Sequence, residues 1–321
     1  MRHPQPLPPP LRRAALTVPR LRAHGIPESR LQRADIVKLG SGVYLARETA
    51  QRLDALGLLR LRACGLLRDV AGCWLSHTTA AKLWGLPLHA ADDEAVHLSV
   101  PSASPNLPRR QGVIGHKSAA TADELRTVEG MLMSGPQRLW RECAALLSVP
   151  ALVILGDSLV RQPRYRFEGR SEPHTTIEGL HEVLHRHPRF PGRPRARAAA
   201  AQIRVGADSA QETLLRLAML RAGLPEPELQ LPADPQLPRS PCADLGYRRW
   251  RIAIQYDGAC HFDADRAKED RRVDRFFLAR GWTVLRYFDA DARTGFTGAV
   301  EEIGRAIAHR ERALTGSSGS S

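Results

Sequence analysis

The composition of this 321-residue chain excludes several classes of protein. Hydrophobic residues make up 43% and charged residues 25% of the sequence, which excludes disorder of the whole chain. No stretch approaches the roughly 18 uncharged apolar residues of a membrane span, and the proline-rich residues 1–10 do not form a secretory signal. The five cysteines are scattered without a C-x-x-C pair, which indicates a reducing, cytoplasmic location. The length predicts about two domains.

The positive charge is concentrated in the first part of the chain. Lys and Arg number 47 against 34 Asp and Glu, a net charge of +13. Residues 206–321 hold 17 of each sign, so the whole excess lies in residues 1–205. Such asymmetry indicates that the first part meets a polyanion, and DNA is the expected partner. A general drift of the composition towards arginine is the alternative.

The N-terminal elements predict a small DNA-binding fold. Residues 17–25 (TVPRLRAHG) have a Thr cap, an early Pro and a closing Gly, the signals of a short helix. Residues 27–34 begin a second helix, and residues 36–45 form two strands around a Gly-Ser-Gly turn. This is the order of a winged helix-turn-helix, whose second helix would offer Arg30 and Arg33 to the major groove. A basic helical cap is the alternative.

The middle of the chain predicts a helical region followed by a basic linker. Residues 49–160 contain Leu-rich helices and a strand near residues 95–100. His77 opens one of these helices, and we interpret it as a structural residue rather than a metal ligand. Residues 161–205 are rich in Arg and Pro, so they are expected to follow phosphates.

One helix of this linker matches the zinc-protease motif. His181 and His185 lie four residues apart and share a helix face, and Glu182 would activate water. The next glutamate that could act as a third ligand, Glu212, lies 27 residues beyond His185. A zinc hydrolase is therefore the weaker hypothesis.

From Ser209 onward the pattern predicts an α/β module. SAQETLLRLAMLRAG is an amphipathic helix in which Ser209 and Glu212 form a capping box, with Glu212 holding the Ser209 amide. A hairpin of two short strands, a charged helix, a further strand and a final helix follow. Their predicted ranges are 242–247, 250–256, 265–279, 282–287 and 298–312.

Several oxygen-bearing side chains converge in this predicted module. Asp244 and Gln255 lie on the two strands of the hairpin, so pairing can bring both to one edge of the sheet. Glu212 on the flanking helix and Asp257 can join them there. Oxygen ligands suit Mg²⁺, which polarises a scissile phosphate and prepares an attacking water.

These segments resemble a known nuclease family. SAQETLLRLAMLRAGLPEPELQ, ADLGYRRWRIAIQYDGACH and EDRRVDRFFLARGWTVLRY are similar to the very-short-patch-repair-like branch of the PD-(D/E)XK superfamily. GVYL, LSHTTAAKLWGLPL and LVILGDSLVR resemble actinobacterial proteins that join this module to an AbiEi-antitoxin-like winged-helix region. The resemblance implies an α+β multidomain protein with an N-terminal winged helix-turn-helix, a helical middle region and a C-terminal restriction-endonuclease-like α/β core with a mixed sheet. It also implies a cognate toxin or another protein as a partner.

The resemblance assigns the residues of the site. It places Asp244 at the motif Asp, Gln255 at the Asp/Glu position and Asp257 where the superfamily has Lys, with Glu212 on the first helix as a further catalytic residue and Mg²⁺ ligand. His261 follows within the stretch DG…H…DRR and has either a catalytic or a plain surface role.

Two departures from the superfamily pattern leave two functions open. Gln255 is a neutral ligand, and Asp257 cannot stabilise negative charge as Lys does. Either Asp257 supplies the missing negative charge and His261 or Arg271 supplies the positive group, or the site is degenerate. The leading hypothesis is a DNA-binding, Mg²⁺-dependent endonuclease, and the alternative is a non-catalytic antitoxin-like regulator of transcription. The expected DNA contacts are Arg30, Arg33, Arg271, Arg272 and Arg275.

The expected organisation has six parts. They are a disordered lead-in (1–14), the winged helix-turn-helix (15–48), the antitoxin-like middle region (49–160), the basic linker (161–205), the nuclease-like domain (206–313) and a disordered tail (314–321).

Overall fold

A computed structural model describes residues 6–89, 94–164, 168–258 and 264–317 of this α+β protein. The chain divides into two compact units, and each unit takes its residues from two separate segments. The first unit is Met1–Leu147 with Glu182–Ala196, and the second is Ser148–His181 with Arg197–Ser321. The second unit therefore starts earlier than the boundary expected from the sequence. None of the described helices is long and apolar enough to cross a bilayer.

The first unit contains six helices and seven strands within its described part. The helices are α1 (Pro9–Arg12), α2 (Val18–Ala23), α3 (Arg47–Ala50), α4 (Ala55–Asp69), α5 (His77–Leu83) and α6 (Pro136–Cys143). The strands are β1 (Ile36–Gly40), β2 (Val43–Ala46), β3 (Trp74–Leu75), β4 (Val96–Pro101), β5 (Val113–Ser118), β6 (Leu125–Val128) and β7 (Met131–Ser134). Strands β1 and β2 form an antiparallel hairpin, and the larger mixed sheet has the order β5-β4-β3-β7-β6.

The first predicted helix and the hairpin of the N-terminal part are confirmed. Thr17 caps α2, since its side chain accepts a hydrogen bond from the backbone nitrogen of Arg20. Leu11, Leu16 and Leu21 are buried in a small core shared with Ile36 at the start of β1. Apolar burial therefore joins the helix to the hairpin, and the sequence pattern predicts this local arrangement.

The second predicted helix is shorter than expected. Glu28–Gln32 forms only a single 3₁₀ turn. Within it, Arg30 is 9% exposed, because its guanidinium donates two hydrogen bonds, of 2.8 and 2.6 Å, to the carboxylate of Asp35. Arg30 thus closes the turn instead of facing solvent, whereas Arg33 is exposed. The structure therefore corrects the prediction of a continuous helix that presents both arginines.

The predicted basic linker contains helices and is rich in ion pairs. Helix α7 (Val149–Val160) ends just before it, α8 (Ile177–Arg186) and α9 (Arg193–Ala200) lie within it, and the boundaries of the units fall within α8 and α9. Five of its arginines are paired with carboxylates, which reduces the charge available to phosphates. These arginines are Arg161, Arg164, Arg170, Arg186 and Arg204.

The second unit is built on a mixed sheet. Its remaining helices are α10 (Ala210–Arg221), α11 (Ala264–Leu278), α12 (Asp289–Arg293) and α13 (Thr297–Ser317), and its strands are β8 (Glu228–Pro232), β9 (Cys242–Tyr247), β10 (Ile252–Asp257) and β11 (Thr283–Phe288). The order is β11-β10-β9-β8, in which only β10 and β11 are parallel. The hairpin β9–β10 was predicted, whereas β8 was missed.

Apolar side chains cover both faces of this sheet. Leu215 and Met219 of α10 pack with Ile254 and Tyr287 on one face. Phe277 of α11 packs with other sheet residues on the opposite face. Helices α10 and α11 therefore pack on opposite faces of the sheet. This packing holds the polar residues at one end of β9 and β10 in place.

Candidate functional site

The antiparallel pairing of β9 with β10 positions the first acidic residue of the predicted site. Asp244 lies near the start of β9, beside the end of β10. Its Oδ2 accepts a hydrogen bond of 2.8 Å from the backbone nitrogen of Tyr256. The carboxylate is thus fixed at the end of the hairpin where Gln255 and Asp257 also lie.

Helix α10 supplies the second acidic residue from its first turn. Ser209 caps the helix, since its Oγ accepts from the backbone nitrogen of Glu212 at 3.2 Å. Glu212 accepts in turn from the backbone nitrogen of Asp208 at 2.8 Å, and not from that of Ser209 as the capping box predicted. This carboxylate is 5% exposed, so the helix start holds it in a largely desolvated place.

Burial and charge repulsion raise the pKa of both carboxyl groups. Burial first, and then the charge of Asp244, raise the pKa of Glu212 from 4.5 to about 7. Burial chiefly raises the pKa of Asp244 from 3.8 to about 6, with Asp208 and Asp257 adding to it, while the bond from Tyr256 acts in the opposite direction. A bound cation would relieve both effects, and coupled carboxylates of this kind mark functional sites.

The positive group of this site comes from a residue that the sequence did not indicate. Arg286 on β11 lies directly across from Gln255 in the parallel register. Its guanidinium donates to Asp257 and, at 2.6 Å, to Asp274 of α11. The predicted positive group was His261 or Arg271. The signal for Arg286 was a lone charge in the apolar strand TVLRYF.

The other predicted site residues are distributed as follows. Gln255 is 8% exposed, and its Nε2 donates to the backbone oxygen of Cys242 at 3.2 Å, so its Oε1 is the atom suited to a cation. His261 lies outside the described residues. Three arginines lie on the exposed face of α11. They are Arg271, Arg272 and Arg275.

The side chains near this end of the sheet offer oxygen atoms, the ligand type that Mg²⁺ prefers. They are the carboxylates of Glu212, Asp244 and Asp257 and the amide of Gln255, but the three carboxylates do not all lie within 4.8 Å of one another. Mg²⁺ prefers oxygen ligands, keeps several waters and needs only one or two carboxylates besides the phosphates of its substrate. The two carboxylates that are already coupled, Glu212 and Asp244, satisfy that requirement.

The structure also contains a cluster of three histidines that the sequence did not predict. Within the described ranges, the one compact group of three potential metal-ligand side chains is His77, His97 and His116, whose ligand atoms all lie within 4.8 Å of one another. It does not include His181 or His185 of the zinc-protease match, and Glu182 there pairs with Arg186. The sequence offered only the separate histidines, which α5, β4 and β5 bring together.

Comparison with known proteins assigns no family to this chain. No family model matches the sequence, and no curated protein gives a significant match. The function of this chain is therefore inferred from the geometry and chemistry of its two candidate sites.

Proposed function

We propose that the second unit hydrolyses phosphodiester bonds of DNA, with Mg²⁺ held at the acidic end of its sheet. The observation that carries this proposal is the pair of buried carboxylates of Glu212 and Asp244, whose pKa values are both raised by burial and which are fixed by backbone amides. The mixed sheet between α10 and α11 supports it, because the resemblance to the PD-(D/E)XK superfamily implies such a core.

The residues of this site would either bind the cation or hold a neighbouring side chain in place. Asp244 and Glu212 hold the cation, with Oε1 of Gln255 as a neutral ligand. When bound, Mg²⁺ polarises the phosphate and lowers the pKa of water. In the metal-free protein a pKa of about 7 leaves Glu212 partly protonated near neutral pH, so binding of the cation would release this proton. Arg286 fixes the carboxylate of Asp257 through their ion pair.

Binding of the DNA backbone is assigned to basic residues in both units. The excess charge of residues 1–205 attracts a polyanion without regard to sequence. In this proposal the N-terminal helix and hairpin serve as a winged helix-turn-helix, with Arg33 contacting DNA and Arg30 stabilising the turn. The exposed arginines of α11 track phosphates next to the acidic end of the sheet.

A regulator without catalytic activity is the second candidate, and one observation favours it. Gln255 brings no charge, and the carboxylate of Asp257 is neutralised by Arg286. Only Glu212 and Asp244 then remain to hold a cation. In that case the second unit would only bind DNA or a partner such as a cognate toxin, as in an antitoxin-like regulator of transcription.

Nicking of supercoiled DNA in Mg²⁺ or Mn²⁺ separates the two candidates. We expect cleavage by the wild type and none by Asp244→Asn, because this change removes a charged ligand and keeps the size of the side chain. Glu301→Gln is the matched control, since Glu301 is 66% exposed on α13, and it should cleave like the wild type. DNA binding without nicking by the wild type would support the regulator.

A further inference from the structure

We propose that His77, His97 and His116 form a binding site for a transition metal ion of the zinc type, with one coordination position open to a cavity. This site lies in the first unit and is separate from the Mg²⁺ site proposed above. Neither the sequence patterns nor the comparisons indicated it.

The spacing of the histidine nitrogens is close to that of a tetrahedral metal site. With a metal–nitrogen distance of about 2.0–2.1 Å, two ligands of a tetrahedron lie about 3.4 Å apart. The three ligand atoms lie within 4.8 Å of one another, and Nδ1 of His97 is 2.9 Å from Nε2 of His116. The rings are now nearly parallel, with interplanar angles of 11°, 20° and 30°, and they would have to turn for all three nitrogens to meet at one ion.

Rigid elements hold the three rings. His97 lies on β4 and His116 on β5, and the parallel register places His116 opposite Ser99, so the two histidines project from the same face of the sheet. His77 is the first residue of α5, and its ring stacks on that of His116 with the centroids 3.8 Å apart. Sites built on strands and helix ends have more precise geometry than those built on loops.

The surroundings of His77 resemble those of a metal ligand. Its Nδ1 is hydrogen-bonded to Oγ of Ser76 at 2.9 Å, and that oxygen accepts a hydrogen bond of 2.8 Å from Ser99. A proton on Nδ1 leaves the lone pair of Nε2 for a metal, and such outer hydrogen bonds orient ligating histidines. His77 also has a φ of +52°. Backbone strain of this kind concentrates at functional sites.

The chemistry of the donors selects the class of metal. Neutral imidazole nitrogen suits zinc, copper and nickel, whereas Mg²⁺ requires oxygen ligands.

One side of the cluster faces a cavity of about 520 Å³. His77 and His116 line it together with the buried carboxylate of Glu142 and the basic side chains of Lys117 and Arg141. Three protein ligands and an open fourth position are typical of catalytic rather than structural zinc. The carboxylate of Glu142 lies 3.9 Å from Nδ1 of His77 and is itself paired with the buried Arg138 at 2.8 Å, so it would orient His77 rather than bind the metal. We therefore infer that the fourth position takes water or a small anionic ligand.

Metal titration of the purified full-length chain tests this proposal. After removal of metal by chelation, equilibrium dialysis against Zn²⁺ with excess Mg²⁺ present should give one zinc per chain. Co²⁺ should give the visible absorption of a tetrahedral complex. His116→Gln should weaken zinc binding at least about tenfold. His77→Gln should do the same, and circular dichroism checks that both variants are folded.

Two matched controls locate the metal. His187→Gln alters another histidine of the same cavity, and His185→Gln alters the zinc-protease match, so both should bind zinc like the wild type. Absence of stoichiometric zinc and of the Co²⁺ absorption in the wild type would overturn the proposal, whatever the variants do. Zinc that is retained by the folded His116 variant or lost in the His185 variant would overturn it too.

Discussion

The carboxylate of Asp244 on β9 accepts the backbone hydrogen of Tyr256 on β10 across a 2.8 Å hydrogen bond. A side chain thereby replaces a backbone partner where the two strands separate. The bond holds Asp244 close to Gln255 and Asp257, the two residues that flank Tyr256 on β10. The proposed cation site depends on this position of the Asp244 carboxylate.

Asp244→Asn should weaken Mg²⁺ binding and leave the fold intact. The amide oxygen of asparagine can still accept the hydrogen bond from Tyr256, whereas the negative charge is lost. Calorimetric titration with Mg²⁺ should show at least about a tenfold lower affinity, corresponding to about 1.4 kcal/mol. Glu301→Gln should bind like the wild type. Equal affinities for wild type and Asp244→Asn would remove Asp244 from the site.

Glu212 should make the metal-free protein less stable as the pH rises. Its pKa is about 7 in the folded state against an ordinary 4.5, so the folded chain binds more protons than the unfolded chain between these values. The free energy of unfolding therefore falls as the pH rises from about 4.5 to about 7. Glu212→Gln removes this contribution.

Urea unfolding in a chelator at several pH values measures this effect. The stability of Glu212→Gln relative to the wild type should increase across that range, while Glu301→Gln should follow the wild type in parallel. A constant difference between Glu212→Gln and the wild type would contradict the raised pKa. Saturating Mg²⁺ should flatten the dependence, because it favours the ionised carboxylates.

Removing one partner of a buried ion pair should strongly destabilise the second unit. Asp157 of α7 and Arg216 of α10 are 1% and 0% exposed at a separation of 2.9 Å, and Asp157 also accepts from Thr213. Arg216→Met should cost about 3–5 kcal/mol, because it leaves a buried carboxylate without its cation. Urea unfolding measures this. The exposed arginine in the control Arg305→Met should cost less than about 1 kcal/mol, and similar losses in both variants would refute the assignment.

The sequence predicted elements whose signals are local. The cap of α2, the hairpin β1–β2, the amphipathic helix α10 and the hairpin β9–β10 each follow from spacing, turn residues and caps that adjacent residues carry. Strand β8 was missed because Glu228–Pro232 is short and ends in proline, and only its pairing with β9 makes it a strand.

The candidate sites were predictable only in part, because they depend on tertiary pairing. Asp244 and Gln255 could be placed together since a hairpin is a local structure. Arg286 reaches the same end through parallel pairing after a long crossover, and the choice of His261 or Arg271 overlooked it. His97 and His116 are 19 residues apart, and their contact depends on the register of β4 and β5.

DNA affinity should decrease steeply with salt, and α11 should account for a minor part of that slope. Each phosphate contact contributes about 0.9 to the slope of log affinity against log salt. Replacing Arg271, Arg272 and Arg275 by Gln should reduce the slope by at most about 2.7, since the excess charge lies in residues 1–205. Titration of the full-length variant on one duplex measures this.

Two single variants separate the roles of the N-terminal arginines. Arg33→Gln should reduce the salt slope, because Arg33 is exposed. Arg30→Gln should lower stability and leave the slope unchanged, because Arg30 is occupied by Asp35. If the variant without Arg271, Arg272 and Arg275 lost the whole salt dependence of DNA affinity, the positive charge of residues 1–205 would not contact DNA.

The rate of nicking by Gln255→Glu tests whether the acidic end of the second unit's sheet cleaves DNA with Mg²⁺. This variant adds a third coupled carboxylate next to Asp244 and restores the Asp/Glu position of the superfamily pattern. We expect faster nicking than by the wild type at the same Mg²⁺ concentration, and none by the double variant Gln255→Glu with Asp244→Asn. Folded, DNA-binding Gln255→Glu protein that leaves supercoiled DNA intact in both Mg²⁺ and Mn²⁺ would contradict the claim.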